Sequence, residues 1–283
     1  MIPVFLTSIK TKDNLLLEGI ISLPKRKTKT ALIWLHGLSS HFSRSQKLIK
    51  EVITECQKND IVYIKFNTRG HDIASRAGKK IIGGGFEKFE ECVHDISTMI
   101  RCARKLRCTR IFLAGHSTGA NKALYYMYKR QDMAVKGLLL LGPISDRAGQ
   151  MHILGEKKLA RSLSIAEKLS KKNPRTLMPI EYGLFTARRF RSLYKAGTAE
   201  DVFPYHNPHA RWKELASIRV PLAVIVGSRD QHLDRTATEL INAFRCHATL
   251  TKRFQASIIK GADHSFRKKE KELAKAIIAF VKK

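Results

Sequence analysis

The sequence predicts an α/β fold, a mostly parallel twisted sheet with helices on both faces and a helical insertion. Three observations carry that reading. Short continuous apolar runs, such as ALIWLHG at 31–37 and PLAVIVG at 221–227, are too short for helices and suit strands buried on both faces. They alternate with amphipathic stretches, as a parallel sheet with crossover helices requires. The alternation stops once, between LLLLGPIS and VPLAVIVG, where helix-like pieces follow one another without a convincing buried strand.

Taken in order, IPVFLTSIKT and NLLLEGIISL flank the turn Lys12-Asp13-Asn14 and read as an antiparallel opening hairpin. A basic linker, 25–29, leads to the strand ALIWLHG. A helix over about 44–57 precedes IVYIKF, a second over about 86–104 precedes RIFLAG, and a third from about 119 to 129 precedes GLLLLG. PLAVIVG and ASIIKGA supply two later strands, each followed by helical sequence, with the last helix at about 268–281. The core therefore divides into 1–144 and 206–283, and 145–205 is a helical cap inserted over one end of the sheet. Its segment 147–195 holds twelve Lys or Arg against three Asp or Glu. The glycine run 83–85 has neither dinucleotide-site spacing nor a phosphate-loop lysine, and reads as a mobile connection.

Charge and cysteine content narrow the setting. The 283 residues carry 53 Lys plus Arg against 24 Asp plus Glu, a formal +29. Because the basic residues are spread along the chain, the general basicity of a proteome explains them as well as a dedicated polyanion site does. No specific nucleic-acid partner is expected. The charge would also suit a weak electrostatic association with an anionic membrane or polyanion. Five cysteines, none in a CxxC pair, suit reduced thiols in a cytoplasm. Nothing reads as a signal peptide or membrane span, so a cytoplasmic location is expected.

The chemistry is concentrated where RIFLAG runs into Gly115-His116-Ser117-Thr118-Gly119 and then a helix. G-x-S-x-G between a strand and a helix makes a turn so tight that the serine backbone is strained and its neighbours must be small. A neutral serine hydroxyl is a weak nucleophile and needs a base, which in turn needs an orienting acid. Asp230 lies three residues past Gly227 at the end of a later strand, and His264 follows the last strand after a Gly-Ala-Asp turn. Asp234 competes with Asp230, and either could cap the next helix; Asp230 is nearer the strand end. Asp263 is expected to shape its turn. An oxyanion hole would use the backbone N–H groups of Thr118 and Leu38, with Gly37 permitting the sharp turn. Gly37 and His116 are the expected substrate-contacting neighbours. His206 and His209 have no second cluster, so no metal is expected.

His36-Gly37, Gly115 to Gly119, Asp230 and His264 together resemble the serine hydrolases of the α/β-hydrolase superfamily, in the chain order Ser, Asp, His. Arg69-Gly70-His71 is similar to the Arg-Gly-His-Gly loop of monoacylglycerol-lipase-like esterases, with Asp72 in place of the second glycine. The resemblance implies the α/β-hydrolase fold with a cap. It also implies hydrolysis of a small-molecule acyl ester by Ser117, His264 and Asp230 through an acyl-enzyme, with no cofactor. Thioester hydrolysis, peptide cleavage and acyl transfer are alternatives on the same fold, and a non-catalytic basic binding protein is an alternative from another class. Leu154, Leu163, Leu177, Met178, Leu184 and Phe185 of the cap either line an acyl pocket or pack the cap.

Overall fold

A computed structural model describes residues 2–283. Eight strands form one sheet: β1 (Phe5–Lys10), β2 (Leu16–Ser22), β3 (Thr30–Leu35), β4 (Val62–Phe66), β7 (Arg110–His116), β8 (Val135–Leu141), β9 (Leu222–Gly227) and β10 (Phe254–Ile259). They lie in the order β1-β2-β4-β3-β7-β8-β9-β10. Only the pairings of β2 with β1 and with β4 are antiparallel; all others in this sheet are parallel. The expected hairpin is present, turning at Asn14 with φ 67°.

The continuous apolar runs follow from burial on both faces. Along β3, Leu32 and Trp34 face one core while Ile33 and Leu35 face the other. Helices α1 (Gln46–Lys58) and α9 (Glu270–Val281) cover the first side with Val52, Ile53, Leu273 and Ile277. Helices α2 (Cys92–Lys105), α3 (Thr118–Arg130) and α8 (Ala237–His247) cover the second with Ile96, Met99, Leu124 and Leu240. Burying a large aliphatic or aromatic side chain contributes about 1.5–3 kcal/mol, so these two layers supply most of the driving force for folding.

The interruption contains α4 (Asp146–Leu154), α5 (Glu156–Lys172) and α6 (Ala187–Tyr194), with a short α7 (Lys213–Ala216) leading into β9. An isolated antiparallel bridge joins Leu177 to Thr186. Ala166, Met178, Ala187 and Phe190 make a small core of their own, with Leu163 and Phe185 packed against it. Leu177 and Leu184, by contrast, face outward, 45% and 36% exposed.

Two expectations are corrected. The glycine run is an anchored crossing: the N–H groups of Gly83, Gly84 and Gly85 donate to the carbonyls of Arg69, Asp72 and Ile73 at 2.9, 2.7 and 2.9 Å. A Cβ on Gly85 would sit 2.1 Å from the Leu184 carbonyl oxygen, so glycine lets the insertion approach closely. The run follows a small hairpin of β5 (Ser75–Ala77) and β6 (Lys80–Ile82), too short to stand out in the pattern. The second helix begins later than expected, because residues 89–91 form a 3-10 turn that buries Phe89 against Tyr125. The five cysteines are unpaired. Among the described residues no helix is long and apolar enough to cross a membrane.

Candidate active site

Strand β7 ends at His116 and α3 begins at Thr118, so Ser117 alone makes the turn, at φ 56° and ψ −130°. That is backbone an L-residue adopts only when its surroundings hold it there. The Ser117 N–H donates to the Leu141 carbonyl at 2.9 Å, and the Ser117 carbonyl accepts from Ala120 N–H at 2.7 Å. The flanking glycines have a steric reason. A Cβ on Gly115 would lie 2.2 Å from the Gly119 carbonyl oxygen, and one on Gly119 would lie 2.4 Å from that of Leu35.

Asp230 and His264 meet beyond the ends of β9 and β10. The His264 Nδ1–H donates to Asp230 Oδ2 at 2.7 Å, and Asp230 Oδ1 accepts from the His232 N–H at 2.9 Å. Both residues are buried. A carboxylate only accepts, so the proton sits on Nδ1 and leaves Nε2 available as a base. The competing Asp234 turns away to Arg235, at 2.7 Å. Asp263 is bound by the side chain and N–H of Arg267, at 2.6 and 2.9 Å, and shapes the turn.

Ser117 is half-buried, and its hydroxyl makes no hydrogen bond to His264 among the described residues. Their neighbourhoods nonetheless interlock. Gly142 directly follows the Leu141 carbonyl that anchors Ser117, and a Cβ there would lie 3.2 Å from His264 Nδ1 and 3.4 Å from Asp230 Oδ2. On the other side, His116 Nε2–H donates to the His264 carbonyl at 2.7 Å, and the two rings lie 4.9 Å apart. The His116 side chain is thereby engaged within the chain. It ties the strand end to the His264 loop, and burial, helped by His264, pulls it down to about 4, so it stays neutral.

The loop after β3 lies against the serine: a Cβ on Gly37 would come within 3.0 Å of Ser117 Cβ and 3.4 Å of its Oγ. No acceptor is found among the described residues for the N–H groups of Leu38 and Thr118, the two expected oxyanion donors. His36 fixes this loop from beneath. Its Nδ1–H donates to the Gly37 carbonyl at 2.9 Å and its Nε2 accepts from Thr68 N–H at 2.9 Å, a pattern only neutral imidazole can make. Burial, with Lys122 nearby, holds His36 well below its ordinary range.

Sequence reasoning missed the buried ionic cluster behind this loop. Lys122, on α3, donates to Thr68 Oγ1 at 3.2 Å and to Glu87 Oε2 at 2.8 Å. Arg189, brought by α6, pairs with Glu87 at 3.0 Å and also with Glu200, and its Nε donates to the Gly84 carbonyl at 2.9 Å. Burial pushes the Glu87 carboxyl up, but Lys122 and Arg189 outweigh it and hold the group below its usual range. The available signal was Lys122 itself, a charge amid the apolar face of a helix that is buried almost all round. His232 was also missed; its ring stands edge-on to His264 with centroids 4.7 Å apart.

The Arg-Gly-His loop is structural here. Arg69 binds Asp95, Glu91 and Asp13 at 2.8, 2.7 and 2.9 Å, while a Cβ on Gly70 would strike the Glu87 carboxylate. Asp72 has φ 51°, which explains why a glycine suits that position and why aspartate can replace it. His206 reaches only Asp201, at 3.9 Å, and no group of three potential metal ligands is found among the described residues.

Sheet order, the helices on both its faces and the serine turn define the α/β-hydrolase fold. Solved structures agree at low identity. An esterase of Pyrococcus furiosus, PF2001, superposes with a TM-score of 0.66 at 19% identity, covering 99% of this chain and 91% of that one. Est1E from Butyrivibrio proteoclasticus, solved with ferulic acid, gives 0.68 at 18%, covering 98% and 100%. XC6422 from Xanthomonas campestris, described as an α/β serine hydrolase without a lid, gives 0.59 at 14%, covering 99% and 94%. By sequence, residues 79–282 match the family described as "Protein of unknown function (DUF1749)", and the chain belongs to that family. No curated protein matches it.

Proposed function

We propose that the chain is a serine hydrolase cleaving a carboxylic ester of a small molecule. The observation that carries this reading is the 2.7 Å bond from His264 to Asp230 at the sheet edge where Ser117 is held in a strained turn. In the proposed reaction His264 Nε2 takes the Ser117 proton as the serine oxygen attacks the ester carbonyl. The N–H groups of Leu38 and Thr118 receive the oxyanion. His264 then protonates the departing alcohol, leaving an acyl-serine. Water, deprotonated by His264, releases the acid and restores the serine. Asp230 keeps the proton on Nδ1 and stabilises the imidazolium that forms. Esters are favoured over thioesters and amides because the fold neighbours named above include esterases.

The test is hydrolysis of p-nitrophenyl esters of graded chain length by the native chain and by Ser117→Ala. The expected result is turnover by the native chain that falls by about 10⁴-fold or more in the variant. Equal rates in the two chains would overturn the proposal. The basic surface adds a second expectation: turnover of an anionic ester should weaken as salt rises to about 0.5 M, where exposed charges are screened within a few ångströms.

A further inference from the structure

Behind the loop after β3, a cavity of about 20 Å³ opens between the sheet and the start of α1. Its walls include Lys65, Tyr63, Ser45, Leu48, His36 and Gly37. This volume has room for about one water-sized sphere. Lys65 is 3% exposed, yet its ammonium has a single partner among the described residues, the Arg44 carbonyl at 3.1 Å. No carboxylate lines the cavity. Tyr63 is fully buried, and its hydroxyl has no partner among the described residues. Helix α1 starts here without a side-chain cap, and its N-cap residue Ser45 and the first-turn residues Leu48 and Ile49 line the space.

These groups share one deficiency. A buried ammonium short of acceptors and a phenol free to donate both present hydrogens, and no carboxylate on the wall answers them. His36 cannot answer, because both its ring nitrogens are engaged elsewhere. We propose that this cavity is a binding site for a single small monovalent anion of halide size, held between the Lys65 ammonium and the Tyr63 hydroxyl. Burial alone brings Lys65 down to about 7, and a bound anion supplies the counter-charge that keeps it protonated. Arg44 and Lys47, exposed on either side of Ser45 in the chain, add positive charge near this end of α1. The cavity shares the loop after β3 with the candidate active site through His36 and Gly37, but anion binding there does not depend on the hydrolase reading.

The test is thermal unfolding at pH 7 and fixed ionic strength in sodium chloride, sodium bromide and sodium gluconate, with native chain, Lys65→Met and Tyr63→Phe. Chloride and bromide should raise the native midpoint saturably over gluconate, which is too large to enter. The increment should vanish in Lys65→Met and shrink in Tyr63→Phe. Equal native midpoints in the three salts would mean the cavity holds only water, and an increment surviving in Lys65→Met would place the effect elsewhere; either overturns the proposal. Should Lys65→Met fail to fold, bromide-soaked crystals of the native chain decide. An anomalous peak beside Lys65 Nζ supports the site, and none there refutes it.

Discussion

The sheet core and the junction that joins the helical insertion to it are held by opposite means. The core is two apolar layers, with residues such as Leu32, Ile33, Leu113 and Val224 fully buried. The insertion has a small apolar core around Phe190 and Met178, and at its junction with the rest of the chain Arg189, Glu87, Lys122 and Glu200 are buried almost completely. Apolar layers tolerate repacking, whereas a buried ionic cluster stands only while every charge keeps its partners. The junction also touches the site, since Lys122 reaches Thr68 and Thr68 holds His36. A loss of stability and a loss of loop geometry should therefore appear together at the junction and separately in the core.

The largest effect should come from Arg189→Met, which leaves Glu200 buried without a cation and Glu87 with Lys122 alone. Chemical denaturation should show a loss of about 3–5 kcal/mol. A loss under about 1 kcal/mol would mean that the junction is held by packing. Phe190→Ala removes the largest apolar side chain of the insertion's own core and should cost about 3 kcal/mol. If the comparison is right, it should leave an ester's kcat nearer the native value than Arg189→Met does.

Asp146 supplies a smaller, pH-dependent contrast. Its Oδ2 is enclosed without a partner, and burial together with Glu200 raises its carboxyl to about 7. A folded pKa above the unfolded value means the native state holds the extra proton. This contribution to stability is full at low pH and is lost as pH rises from about 4 to about 7. Asp201, raised to about 6 mainly by burial, works in the same direction, and His116, lowered to about 4, opposes them. Asp146→Asn should flatten the decline between pH 4 and 7 when Tm is followed against pH. An unchanged profile would show that Asp146 is solvated in the native state. The smallest effect belongs to Arg267→Ala at the exposed pair with Asp263, below about 0.5 kcal/mol.

The same contrast sets how much could be read from sequence. Strands such as 31–35 and 222–227 were legible because burial on both faces leaves an unbroken apolar run. The serine turn was legible because G-x-S-x-G between a strand and a helix is a compact local pattern, its Gly115 answering a collision with Gly119. Asp230 and His264 were chosen as an acid and a base a few residues beyond strand ends, and the structure joins them at 2.7 Å. The junction was not, because Glu87, Arg189 and Glu200 each alone resemble a surface charge, and Lys122, the one charge amid an apolar helix face, does not by itself say what it meets. The glycine run was misread for a related reason: what crowds Gly84 and Gly85 is Ser39 and Leu184, both distant in sequence.

The most direct measurement is mass-spectrometric mapping of the chain after reaction with a fluorophosphonate. The account predicts one phosphonyl group, on the peptide carrying Ser117, absent from Ser117→Ala and formed far more slowly in His264→Ala. Labelling of another residue, or undiminished labelling of the Ser117→Ala chain, would contradict it.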